Sequence, residues 1–337
     1  MKDLPALLFA SLALVLVSCE YSAQPVLIEH AGSAQGSTYQ IKYLAPDEQN
    51  LRVETDSIFA RIDYSMSTYA PTSLISQVNR GDTWVHVDSL FMTVLRRALE
   101  IAEETHGDFD PTIGPLVNLW GFGPQEKRRS IEPDTVRRVM ARTGYGAIQI
   151  SDEGVSIPAG FTIDFNAIAQ GFTVDVIAAH LEQKGLTDYM VEVGGEVRTR
   201  GTNDRGNVWR IGLDKPADVV NPDDRFQVIL ELKDSGLATS GSYRNFWVDE
   251  ETGMRYAHTI DPQTGYPANN TLLSATILAP SAMDADAYST ACMVKGLEEC
   301  KTMLQNKADL EGYLVFGSEN GSWGTFTTAG FEAYIAD

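Results

Sequence analysis

"LLSATILAPSAMDADAYSTACMVKG", residues 272–296, passes from an apolar run straight into a helical pattern, with only Pro280 and Ser281 between them. The short apolar run ending at a proline reads as a strand. Ser281 followed three positions later by Asp284 is the S-x-x-[DE] pattern that opens a helix. A strand feeding a helix is the place where a nucleotide-binding α/β fold carries a P-loop or G-x-G-x-x-G. Neither motif occurs at this junction or at any other in the chain, which argues against a Rossmann domain.

Outward from that junction, strands and helices are interspersed without a βαβ period. "WRIGLD", "FQVILELK" and two runs near the C-terminus read as short strands. Helical patterns cover about residues 49–64, 89–106 and 133–143. Another starts at Asp164 or Asn166, either of which could be the N-cap, and runs to Gly185 as its C′ glycine. Residues 147–163 look like hairpin strands. "VLIEHAGSAQGSTYQIKYLA" contains two strands around a glycine-rich turn between Gly32 and Gly36. There is no internal repeat. The expected class is α+β.

The 337 residues, 43% of them hydrophobic, suffice for a large core, and the formal net charge of −20 speaks against a nucleic-acid partner. Such acidity also serves solubility, and any phosphate ligand would need its charge offset, most simply by a metal ion. Lys2 precedes an apolar run from Leu4 to Val17 that is too short to span a bilayer comfortably but suits a signal peptide. It ends in "LVSC", which is similar to a bacterial lipobox, so Cys19 is the expected lipidation site. A plain secretory signal or a buried strand are the alternatives. The expected organisation is a leader over residues 1–18, a lipidated N-terminus and tether over 19–30, and a single domain over 31–337. Of the remaining cysteines, Cys292 and Cys300 lie eight apart on helical sequence. That spacing is about 12 Å along a continuous axis, too far for a disulfide, and they read as buried small hydrophobes. No CxxC or CxxH pair indicates zinc or haem.

Three segments gather polar groups beyond what a fold needs. In "IDFNAIAQGFTVD", residues 163–175, Asp164 at a helix start could orient a hydroxylated or anionic ligand, or serve only as a cap. In residues 240–267, His258 stands near Asp261, and Arg244 could meet a phosphate. Histidine suits acid/base work near neutral pH, although a lone histidine in a strand is often structural, and Asp261-Pro262 is also ordinary turn chemistry. In the opening stretch, Ser281 and Asp284 are explained by capping. Asp286 and Thr290 are not: one turn apart, they point a carboxylate and a hydroxyl the same way among Ala285, Ala287, Ala291 and Met293. Hard oxygens of that kind suit Mg2+ or Ca2+.

"GSAQGSTY", "MSTYAPTSLISQVN", "GDFDPTIGPLVNLWGFGP", "IDFNAIAQGFTVD", "VEVGGEVRTRG", "ATSGSYRNF", "YAHTIDPQTGYP" and "DADAYSTACMVKG" follow one another in an order that resembles the FAD:protein FMN transferase family, also called the ApbE family. The resemblance covers about residues 32–330. It implies a single domain of mixed, mainly antiparallel sheets with packed helices, ApbE-like and T-fold-like, holding FAD in a cleft. It further implies Mg2+-dependent cleavage of the FAD pyrophosphate, transfer of FMN to a threonine of a target flavoprotein, and release of AMP. By the same resemblance Asp286, Thr290 and the carbonyl of Ala167 are the metal ligands, His258 is the acid/base group, and Asp286 belongs to the catalytic set. Gln35, Tyr69, Asp108, Phe109, Asp110, Asp164 and Gln170 correspond to FAD-contacting positions. Gln170 stands where Lys or Glu is commoner, and Gln35 where Met is frequent. The implied partners are subunits of membrane redox complexes, and the implied location is a lipid-anchored protein facing the periplasm or cell exterior. Two other readings fit the same residues: an FAD pyrophosphatase yielding free FMN and AMP, and a flavin-binding lipoprotein without turnover.

Overall fold

Alternation sets the sheet. In the strand Ser37–Ala45, Tyr39, Ile41, Tyr43 and Ala45 are buried while the residues between them are not, so one face of a pleated strand is apolar. In this computed structural model, which describes residues 25–46, 49–123, 131–215, 225–242, 246–248, 255–318 and 322–336, that strand belongs to an eight-stranded sheet. Its members are Val26–Ala34, Ser37–Ala45, Tyr189–Val193, Glu196–Arg200, Gly236–Gly241, Leu272–Ala279, Glu311–Gly317 and Trp323–Thr327. Their order in space is their order along the chain, and every pairing is antiparallel. The α+β class with mainly antiparallel sheets is therefore correct. The leader, Cys19 and Arg244 lie outside the described residues.

Both faces of the sheet are covered. Tyr189, Val191 and Ile277 point into the larger core beneath the helices Arg52–Met66, Ser89–Glu104, Ala169–Gln183 and Ala282–Lys295. Their neighbours Met190 and Leu278 point into a second core, closed by the two-stranded ribbon Trp209–Asp214 and Phe226–Leu232. Burial on both faces is why residues 272–279 read as a continuous apolar run rather than an alternating one.

Two tight turns shape one end of the sheet. The first hairpin turns on Gln35 and Gly36 alone, both with positive φ (53° and 74°), so the turn is narrower than the expected Gly32 to Gly36. Gly32 lies inside its strand, where a Cβ would stand 2.9 Å from the Tyr39 ring. That strand begins at Val26, ahead of the boundary expected at residue 31. The second turn is Gly194–Gly195, φ 69° and 110°, between Val193 and Glu196.

Two local expectations are corrected. The helix Ala169–Gln183 begins after Ile168 with no side-chain cap; Asp164 instead accepts the Asn166 N–H at 2.8 Å in an Asx turn before the helix. Cys292 and Cys300 form a disulfide, with Cα atoms 4.9 Å apart. The 12 Å estimate assumed one continuous helix. Gly296, at φ 76°, ends the Ala282–Lys295 helix and starts Leu297–Asn306 in a new direction, bringing the cysteines together.

Candidate functional site

The helix Ala282–Lys295 is held in place by groups that are not its own. Ser281 caps it, accepting the Asp284 N–H at 3.0 Å, as its sequence predicts. Asp175, on the neighbouring helix Ala169–Gln183, takes the Ala282 and Met283 N–H groups at 3.1 and 2.9 Å and the Arg198 guanidinium at 2.6 Å. The Asp284 carboxylate is bound by Arg97 Nε at 2.7 Å. Laterally, Gly171 lets the two helices touch: a Cβ there would sit 2.3 Å from the Ala282 carbonyl oxygen and 2.9 Å from Asp286 Cβ. The depth, tilt and rotation of Asp286 are thus fixed by Asp175 and Gly171.

Asp286 is 5% exposed, and its Oδ2 accepts the Gly171 N–H at 3.1 Å. Gly171 therefore does not continue the helical ladder back to Ala167, whose carbonyl receives no hydrogen bond among the described residues and which lines the same cleft. Burial pushes the Asp286 carboxyl up to about 7.

Thr290 is oriented by a chain of hydroxyls. Ser289, fully buried, donates to the Asp286 carbonyl at 2.8 Å. Its single proton is thereby used, so in the 2.8 Å contact with Ser240 it is Ser240 that donates. Ser240 then has no proton left for its 3.2 Å contact with Thr290, and Thr290 must donate there. The lone pairs of Thr290 Oγ1 are left free beside Asp286. A carboxylate oxygen, a hydroxyl oxygen and the Ala167 carbonyl form a hard-oxygen set of the type that binds Mg2+. Among the described residues no cluster of three or more His, Cys, Asp or Glu side chains has metal-ligand spacing.

These groups face a cleft of about 790 Å3. Of the residues singled out in the sequence, Tyr69, Asp108, Phe109, Asp110, Asp164, Ala167, Gln170, His258, Asp286 and Thr290 all line it. Tyr69 is 65% exposed at the rim, with its ring available for stacking. His258, half-buried, meets the Phe122 ring edge-on at 6.3 Å. Gln170 packs against the diglycine turn, where a Cβ on Gly194 would be 2.7 Å from its Nε2. Asp108 is ion-paired with Lys295 and accepts Gln263 Nε2 at 2.9 Å. Asp110 accepts the Thr112 N–H and hydroxyl at 2.7 and 2.6 Å and the Tyr145 N–H at 3.1 Å. The two acids thus spend their carboxylates on the protein and shape the wall. Asp261 makes the turn its sequence suggests, accepting from Gln263 N and the Thr264 hydroxyl at 2.8 and 2.9 Å.

Gln35 is the exception. It sits under the first turn, its Nε2 donating to the Thr173 hydroxyl at 3.0 Å, and it does not line the cleft. The family resemblance makes it an FAD-contacting position, whereas its backbone occupies a two-residue hairpin turn and its side chain is drawn down onto the helix Ala169–Gln183.

The lining is acidic. Besides Asp286 it includes Asp164, pushed upward by desolvation, and Glu192 and Glu196, both also raised by burial first; for Glu196 the charge of Asp286 adds to the effect. Arg225, at the opposite rim, is paired with Asp214 at 2.7 Å. An anionic ligand would need a cation to enter here.

A family model described as the ApbE family matches residues 35–314. The chain belongs to the ApbE family. It is 38% identical over 295 residues to the FAD:protein FMN transferase of Vibrio cholerae, covering 85% of this chain and 86% of the relative. With the FAD:protein FMN transferase of Haemophilus influenzae it shares 33% identity over 335 residues, 95% and 94% of the two chains. Among solved structures of the family, the flavin transferase ApbE from Vibrio cholerae superposes with a TM-score of 0.83 at 33% identity, over 92% of this chain and 99% of that one. The apo flavinyl transferase ApbE of Pseudomonas stutzeri gives 0.82 at 30% identity, over 93% and 98%.

Glu196, Ser240 and Asp175 are the site residues that the ApbE motifs contained without revealing. Each lies within a quoted segment, but the groups it faces come from other segments of the chain. Only Asp175 left a signal, as a carboxylate inside an otherwise apolar helical stretch.

Proposed function

We propose that this ApbE-family enzyme is an FAD:protein FMN transferase that uses Mg2+ and esterifies a threonine of its target flavoprotein. The observation that carries the reading is the convergence of Asp286, the free lone pairs of Thr290 and the unbonded Ala167 carbonyl on one cleft with His258. Asp286, Thr290 Oγ1 and Ala167 O would hold the metal. A Mg2+ ion held there would supply the positive charge that an anionic pyrophosphate needs in this acidic cleft.

The chain's own groups account for the rest. The exposed Tyr69 ring offers a stacking face to the isoalloxazine. His258 accepts the proton of the threonine hydroxyl, which is a poor nucleophile at its own pKa. As that oxygen bonds to the FMN phosphorus, the bond from phosphorus to the bridging oxygen breaks and AMP leaves with the electron pair. One FAD and one threonine hydroxyl thus give one phosphoester and one AMP. Phe109, Phe122 and Ile260 give the cleft an apolar stretch of wall against which the flavin ring can pack.

The reading extends to location. "LVSC", which ends at Cys19, supports a lipid anchor that holds the domain on the outer side of a membrane, within reach of redox subunits embedded there; Glu20 after it weakly favours the outer membrane. The test of the metal-dependent step is AMP release from FAD in the presence of an acceptor. Asp286→Ala and Thr290→Ala should each abolish it, and EDTA should do so in the wild type. Full activity in EDTA would overturn the reading.

A further inference from the structure

Glu196 is a buried acid with no task in the scheme above. It opens the strand Glu196–Arg200, immediately after the Gly194–Gly195 turn that brings it to the cleft wall. It is 8% exposed, and its Oε2 has no hydrogen-bond partner among the described residues. Its neighbour along the strand, Val197, points into the opposite core, so the pleat directs Glu196 to the helix side, where Asp286 lies. Glu192, the nearest other acid of this wall, is already engaged with the Gly195 N–H at 2.8 Å. Taking a carboxylate out of water without a partner is costly, and setting it beside a second buried carboxylate is costlier still. A packing role would be met by glutamine, which has nearly the same volume and no charge.

The charge count at the site explains the arrangement. Asp286 is the one anionic member of the hard-oxygen set, and one of its oxygens is committed to Gly171. Thr290 and the Ala167 carbonyl are neutral. A divalent cation on that set alone would keep an uncompensated positive charge, and Mg2+ keeps several of its waters, each a donor in need of an acceptor. We propose that Glu196 is a positioning residue for the divalent cation: its carboxylate supplies the second negative charge, and Oε2 accepts a hydrogen bond from a cation-bound water. The inference rests on the metal reading of the preceding section.

Mn2+ binding to the full-length protein without FAD, followed by electron paramagnetic resonance and by calorimetry, separates the two claims. Glu196→Gln should weaken Mn2+ binding roughly 10- to 100-fold, the usual effect of losing a group that supports a metal's ligands. Its melting temperature in EDTA should not fall, which a merely structural role would require. If the glutamine variant does not fold, Glu196→Asp carries the same test, since it keeps the charge but withdraws the carboxylate by one methylene. Its affinity should also fall. A wild type that takes up no Mn2+ either alone or with FAD would remove the metal reading and this inference together, and one that takes it up only with FAD is compared with the variant in that complex. A wild type that binds Mn2+ and a folded variant that binds it equally well would overturn the role of Glu196 alone.

Discussion

At Thr290 the deciding quantity is where one proton points. Its hydroxyl can serve as a ligand only if the proton is directed away from the cation, and the chain through Ser240 and Ser289 to the Asp286 carbonyl requires that direction. Ser240→Ala removes the acceptor that holds the Thr290 proton. The apparent KM for Mg2+ should then rise by about tenfold, with kcat at saturating Mg2+ and the melting temperature nearly unchanged; a titration of rate against Mg2+ reads this directly. Unchanged Mg2+ dependence would show that Thr290 needs no such orientation. At this scale the sequence showed half of the arrangement. Asp286 and Thr290 are one helical turn apart, and that spacing is visible in any helical reading. Ser240 lies fifty positions away from Thr290, and only sheet pairing brings its strand Gly236–Gly241 under the helix.

The pair of helices Ala169–Gln183 and Ala282–Lys295 is the element on which the site depends. Their approach is set by Gly171 on one against Ala282 and Asp286 on the other, so added volume at the contact must separate them. Gly171→Ala should destabilise the protein by about 1–3 kcal/mol, the usual cost of overpacking, and should impair metal binding as well because it displaces Asp286. Urea unfolding monitored by circular dichroism gives the first quantity; a variant as stable as the wild type would mean the helices can separate freely. The existence and type of the long helices were legible because their apolar periodicity is local. What escaped was set by single backbone angles. Gly296 at positive φ breaks a helix that looks continuous and allows the Cys292–Cys300 disulfide. Asp164 was read as a possible cap because its type suits one, yet the helix begins at Ala169, five residues after Asp164 and beyond the Asx turn that Asp164 opens. Gln35 was placed in the cleft by motif order, while the tight hairpin turn sends its side chain to Thr173.

For the whole molecule, the net charge of −20 and the acidic lining of the cleft favour one class of chemistry. An anionic dinucleotide enters such a cleft only with a cation, so metal and substrate binding should be mutually dependent. The expectation of a single antiparallel domain was correct because the motifs that carried it span nearly the whole chain, whereas composition alone gave only the α+β class. Transfer of FMN to a threonine is read from the mass of the acceptor. The full-length protein is incubated with FAD, Mg2+ and a purified membrane redox subunit that exposes a threonine. The expected result is a gain of one esterified FMN, mapped to that threonine and matched by one AMP, and absent with Asp286→Ala. Free FMN and AMP forming at the same rate without acceptor, with no mass added to the subunit, would contradict it.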